Sequence, residues 1–291
     1  MTEAETDEQA ARELATVEKW LERQGYPLEY ETAREFRAAG LRAEQGLYYE
    51  SREATGAVKA REIDVLARSE RYAIPGVYVA VIAECKRGWP GWVVLTTSSS
   101  EALGPVWAPW PASEAADEEV FRRLQNDREW GQYQGWWDYM KVPDRFGFGL
   151  VQVETKSRSK PGSAALEEME TLAASPKAAY EAIQQVTSAA LHLVAAHEGE
   201  LALLFPVLVT DGPLFQLGFR ADGSRLLESV NRQRILWRGS SGSPVAVDVV
   251  RRPALKGYAA EAAEAVNAVH GILKSAAQAR GLDGQSPTQP V

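Results

Sequence analysis

The sequence predicts an α/β fold, a central mixed sheet flanked by helices, and three observations carry that expectation. Helical periodicity marks 7–24, 27–40, 176–197 and 255–280. Short apolar strands fill 47–50, 63–96 and 214–250 between them. The run 201–210 is apolar throughout, the pattern of a strand covered on both faces.

In chain order, residues 1–6 are expected to fray, and Leu14, Val17 and Trp20 or Leu21 give the first helix its stripe, with Gly25 as its stop. The second helix opens with Pro27 in its first turn and ends at Gly40. Its face Glu29, Ala33, Phe36 includes an acid, whereas Glu31 and Glu35 fall on the solvated side. A buried carboxylate is costly unless paired or metal-bound, although an acid in a first helical turn is already favoured by the helix dipole. Strands follow at 47–50, around Asp64, at 77–86 and at 92–96. Segment 98–165 has a different composition, with Pro105, Pro109 and Pro111, an acidic stretch from Glu114 to Glu119 and five tryptophans, Trp107, Trp110, Trp130, Trp136 and Trp137. Such rings can stack on bases, but filling a small core under a long loop is their commoner use. Lys156-Ser-Arg-Ser-Lys160 reads as an exposed basic loop. The helix from Pro176 is striped by Tyr180, Ile183, Ala190 and Leu191, and its Gln184 and Gln185 could face a site. His192 and His197 have no metal-ligand partner pattern. Strands at 214–220, 235–237 and 245–250 precede the closing Ala-rich helix, and 281–291 reads as a flexible tail.

The chemistry concentrates between Arg61 and Arg87. Asp64 stands in Glu-Ile-Asp-Val-Leu, too apolar for an exposed loop, and the strand Val77-Tyr-Val-Ala-Val-Ile-Ala ends in Glu84-Cys85-Lys86. Alternation puts Glu84 and Lys86 on one face and Cys85 on the other. Pairing of the two strands with Asp64 beside Glu84 would gather two carboxylates and an ammonium at one spot. Two carboxylates suit Mg²⁺, a hard ion that keeps several waters and that activates water and neutralises phosphoryl charge. A lysine beside them positions or deprotonates the attacking water and stabilises the developing charge. A lone Glu-x-Lys is commonplace; the Ile-Asp strand twenty positions earlier is what raises it above chance.

Composition bounds the rest. A chain of 291 residues, 45% apolar and 25% charged, buries a sizeable core. A net charge of −8 excludes a generally basic nucleic-acid coat but not a local basic cleft. The single cysteine, Cys85, excludes an internal disulfide and a Cys-rich zinc site, and its apolar strand points to a buried thiol. With no signal-peptide pattern and no apolar run of membrane-spanning length, the cytoplasm is the expected compartment and no membrane partner is expected.

The order helix with Glu29, strand, strand with Asp64, strand with Glu84-x-Lys86, helix, strand, strand resembles the PD-(D/E)xK superfamily of restriction-endonuclease-like nucleases, over about 26–97 and 176–220. Gly40, eleven positions after Glu29, matches the spacing on the leading helix of the Holliday-junction-resolvase-like members. Ile63 stands where the motif has its proline, and no Gln-x-x-x-Tyr follows on the helix, so the exonuclease branch that carries it is not implied. The resemblance implies a restriction-endonuclease-like core in a single domain over 1–291, with 98–165 as an insertion after the catalytic strand. It implies a Mg²⁺-dependent nuclease, with Mn²⁺ able to substitute, hydrolysing phosphodiester bonds in DNA, as an endonuclease acting in restriction, defence or repair. Asp64 and Glu84 would ligate the metal with the Cys85 carbonyl as a third ligand. Glu29 would bind through water or serve a second ion, and Lys86 would orient the water or act as its base. The partners it allows besides DNA are a second copy of the chain or a defence-system protein. The same superfamily includes inactive relatives, so a binding or assembly module is the competing expectation.

Overall fold

The computed structural model describes residues 3–23, 25–52, 56–69, 75–87, 91–98, 107–126, 138–156, 171–220, 222–238 and 244–282. Its helices are α1 (Glu3–Arg23), α2 (Tyr26–Ala38), α3 (Glu114–Asn126), α4 (Pro176–Ala196) and α5 (Leu255–Ala279). Its strands are β1 (Leu41–Arg52), β2 (Val58–Ser69), β3 (Val77–Lys86), β4 (Gly91–Ser98), β5 (Arg145–Lys156), β6 (Thr171–Ser175), β7 (Leu201–Thr210), β8 (Leu214–Phe219), β9 (Arg225–Ser229), β10 (Arg232–Arg238) and β11 (Pro244–Arg251).

The described strands make one mixed sheet in the order β1-β2-β3-β7-β11-β10-β5-β4-β8-β9, with β6 paired to β5 off this path. The fold is therefore α/β, as the periodicities predict. β1, β2 and β3 form an antiparallel meander. β7 lies parallel to β3 along its whole length, from Val77 beside Leu201 to Lys86 beside Thr210, and β11 lies parallel to β7. Parallel neighbours require a crossover, and α4, the element immediately before β7, covers one face of these strands.

Side chains of the central strands alternate between two cores. Val79, Val81, Ala83 and Cys85 of β3 join Leu203, Phe205 and Val207 of β7 beneath α2, α3 and α5. Ala80 and Ile82 join Leu204 and Leu208 beneath α4. All ten residues of β7 are buried, which is why its sequence carries no polar alternation. α1 differs. Its stripe, Leu14, Val17 and Trp20, is exposed by half or more, so its apolar periodicity meets no core among the described residues.

Segment 98–165, set apart by composition, is built into the sheet where it is described. β5 lies between β10 and β4. Trp110 is buried against Tyr139 and Phe205, and Trp107 packs half-buried on the same core; Trp130, Trp136 and Trp137 lie outside the described residues. This region is pinned by a buried ion cluster. Asp248 of β11, fully buried, accepts two bonds from Arg234 (2.8 and 2.9 Å) and one from Arg232 (2.9 Å) on β10. Burial works against its charge, but the two guanidiniums outweigh it and hold the carboxyl below its usual range. Arg234 also donates to the carbonyls of Tyr139 and Lys141 (2.6 and 2.7 Å) and lies 4.4 Å over the Trp110 ring. No described helix is long and apolar enough to cross a membrane.

Candidate active site

Three elements deliver the four predicted residues to one end of the meander. α2 brings Glu29 in its first turn, half-buried, while Leu28, Thr32, Ala33 and Phe36 of the same helix are buried against the core. Glu31 and Glu35, expected to be solvated, are partly buried and paired with Arg252 (2.5 Å) and Arg34 (2.7 Å).

Gly25, just before this helix, has an ordinary helical φ of −71°, so backbone conformation does not require glycine there. A Cβ there would stand 2.9 Å from Glu29 Oε1, the mobile end of that side chain, and 4.0 Å from the Cys85 carbonyl oxygen. The Glu29 carboxyl and the Cys85 carbonyl thus flank the same point.

Asp64 sits at an irregularity in β2. The β2–β3 ladder pairs Val65 with Ala83 and goes no further toward Asp64. Across β1 the pairing skips Gly46, whose φ is +65°. Regular alternation would place Ile63 and Val65 on one face, but Ile63 joins the α4 core and Val65 the α2 core. The strand turns at Asp64, and its Oδ2 accepts the Cys85 N–H at 2.7 Å, in the place a ladder carbonyl would take.

On β3 the alternation holds. The Glu84 carboxylate meets Lys86 Nζ at 2.5 Å on one side, while Cys85 turns its thiol the other way, 3.5 Å from Thr32 Oγ1. Burial pushes that thiol well above its ordinary range, so Cys85 is a core residue and not a nucleophile.

The electrostatics tie these groups together. Burial raises Glu84 to about 7, with Asp64 and then Glu29 adding to the rise and Lys86 opposing it. Burial raises Glu29 to about 7 as well, with Asp64 and Glu62 adding and Lys86 opposing. Asp64 is also raised by burial, against the Cys85 N–H and Lys86. Burial pulls Lys86 down, but Glu84 and Asp64 outweigh it, so the group stays an ammonium at neutral pH. The site is three mutually repelling carboxyls around one cation.

Such a set, all hard oxygen donors with a surplus of negative charge, fits a divalent cation of the Mg²⁺ class. The side chains are not preset around it: among the described residues no three His, Cys, Asp or Glu side chains converge at ligand spacing. Asp64 is turned to the Cys85 amide and Glu84 to Lys86 instead.

The remaining polar residues of interest lie elsewhere or do other work. Gln184 donates to Ser188 Oγ (3.2 Å) on its own helix. His197 is buried beside Glu200 (3.1 Å) and stacked on Tyr78, and His192 packs on Tyr49. The chain matches no protein-family model, no curated protein and no solved structure. Three residues of the site escaped sequence reasoning: Glu62, Gly25 and Gly46. A Gly inside the Leu41–Arg52 apolar pattern was the one signal available for the last of them.

Proposed function

We propose that the chain is a metal-dependent nuclease with a restriction-endonuclease-like core, hydrolysing phosphodiester bonds in DNA. The observation that carries the reading is the gathering of Glu29, Asp64 and Glu84 around Lys86 from a helix and two antiparallel strands, with burial lifting two of the acids to about 7. The element order helix, three-stranded meander, helix and a strand parallel to β3 supports the same core. Asp64, Glu84 and the Cys85 carbonyl would hold a Mg²⁺ ion, with Glu29 beside it. When bound, that ion supplies charge neutralisation at the phosphoryl group and a more acidic water.

The protein groups divide the remaining work. Lys86, kept protonated by its acidic neighbours, orients the attacking water and stabilises charge on the phosphoryl oxygens; it is not the base. Glu29, half-buried and the more accessible of the two carboxyls, takes the proton the water gives up. The water oxygen bonds to phosphorus as the bond to the leaving oxygen breaks.

The test is cleavage of supercoiled plasmid and linear DNA with Mg²⁺ or Mn²⁺, beside EDTA. Lys86→Ala is expected to lose on the order of 10²-fold or more in rate while still binding metal, and Asp64→Ala to lose both. Wild-type cleavage by either variant overturns the assignment. Neither cleavage nor metal binding by the parent chain would leave an inactive binding module in its place.

A further inference from the structure

One buried polar atom near these acids is unexplained by anything above. Tyr49 of β1 is 6% exposed, and its hydroxyl is buried with no hydrogen-bond partner among the described residues. A buried hydroxyl left unpaired is costly, and Phe would fill the same space without that cost. The ring is well held. It packs on His192 of α4 at 5.0 Å between centroids and belongs to the same core as Ile63, Leu66 and Ile82. Ile82 alternates with Glu84 on β3, so Tyr49 and Glu84 lie on one face of the sheet. The strand register sets Tyr49 opposite Arg61, on the stretch of β2 that leads into Asp64. Burial keeps the Tyr49 hydroxyl a neutral phenol able to donate, with the charge on Arg61 opposing and that on Glu84 adding.

Glu84 meanwhile is held by Lys86 at 2.5 Å. A lysine that serves a water or a phosphoryl oxygen must release that carboxylate, and an ion held by one carboxylate oxygen still leaves the other buried and in need of a donor. We propose that Tyr49 is a positioning residue for Glu84: its hydroxyl is the partner the carboxylate turns to when Lys86 leaves it. The pair then has two arrangements. In one, Lys86 holds Glu84 and the hydroxyl is idle; in the other, Tyr49 donates to Glu84 and Lys86 is free for the substrate. The exchange between partners is a property of the fold; only its use in catalysis rests on the nuclease reading.

A double-mutant cycle on the full chain tests the exchange without DNA or turnover. Lys86→Met removes the ammonium and keeps the stem. In the parent chain, Tyr49→Phe is expected to leave the melting temperature unchanged or raise it, because the hydroxyl has no partner there. In the Lys86→Met background the same substitution is expected to lower it by about 2–4 °C, because the hydroxyl has become the partner of Glu84. An equal shift in both backgrounds overturns the proposal. A second readout is Mg²⁺ affinity by calorimetry, where Tyr49→Phe in the parent chain is expected to weaken binding by about three- to tenfold; an unchanged affinity overturns it too. Plasmid cleavage by the parent chain decides the nuclease reading separately. A chain that shows the background dependence but never cuts DNA would keep the exchange and lose its catalytic use.

Discussion

Glu84→Gln is expected to make the metal-free protein more stable, and only above mildly acidic pH. The carboxyl is 4% exposed, and its pKa rises from 4.5 to about 7 on folding. A group raised in this way binds its proton more tightly folded than unfolded. Its contribution is complete below about 4.5 and is lost as the pH climbs through about 7. At 1.36 kcal/mol per unit the loss comes to roughly 3 kcal/mol by pH 8. Glutamine resembles the protonated acid in shape and cannot ionise, so it escapes the loss. Lys86, left without Glu84, is half-buried and reaches water. The assay is thermal or urea unfolding of both proteins in EDTA at pH 5 and pH 8. Equal stability is expected at pH 5, and at pH 8 an advantage to the variant of roughly 3 kcal/mol, or roughly 5–10 °C. Mg²⁺ at pH 8 stabilises only the protein that binds it, so it should nearly close the gap at a hundredfold excess over Kd, by about 2.7 kcal/mol, and reverse the order at a thousandfold excess, by about 4.1 kcal/mol. A variant less stable than the parent at pH 8, or a difference that does not change between the two pH values, would refute the electrostatic account of the site.

Two further outcomes follow from packing. Asp248→Ala strips the shared acceptor from Arg232 and Arg234 and leaves the buried Arg234 guanidinium without a counter-ion; a loss of about 3–5 kcal/mol is expected in denaturant titration. Gly25→Ala puts a methyl 2.9 Å from Glu29 Oε1, so the flexible carboxyl must move. Unchanged unfolding with Mg²⁺ affinity weakened several-fold is the expected result, read by calorimetry, and an unchanged affinity would remove Glu29 from the metal's neighbourhood.

Asp64, Glu84 and Lys86 were legible because a period of two, read over apolar strands, says which side chains share a face. The helical period put Glu29 on the core-facing side, but an acid in a first turn is ordinary, and only the resemblance singled it out as a site residue. Tyr49 was not legible: Leu47-Tyr-Tyr-Glu50 is an ordinary strand sequence, and only the register across β1, β2 and β3 carries its hydroxyl toward Glu84. β5 was missed through its glycines. A Cβ at Gly147 would meet Val94 at 2.4 Å and Ile235 at 2.9 Å, so the close approach of neighbouring strands demands the residue that weakens a strand's signature. Arg234 and Asp248 carry no signal of their own, because nothing local in the sequence reveals that they face each other in a core. α1 is a helix, as its periodicity predicts, although its apolar stripe is exposed.

The partnership of β3 with β7 has a consequence for how the molecule comes into being. β3 ends at Lys86, and the strand that completes its hydrogen bonding begins at Leu201. Contacts so distant along the chain form late and slowly. During synthesis, a growing polypeptide that has not yet reached Leu201 carries Val77–Lys86 as an open, apolar strand edge, ready to pair with whatever strand it meets. A product cut short before that point would therefore be a seed for aggregation rather than a smaller version of the protein, and the acids of the site would ride on the edge that seeds it.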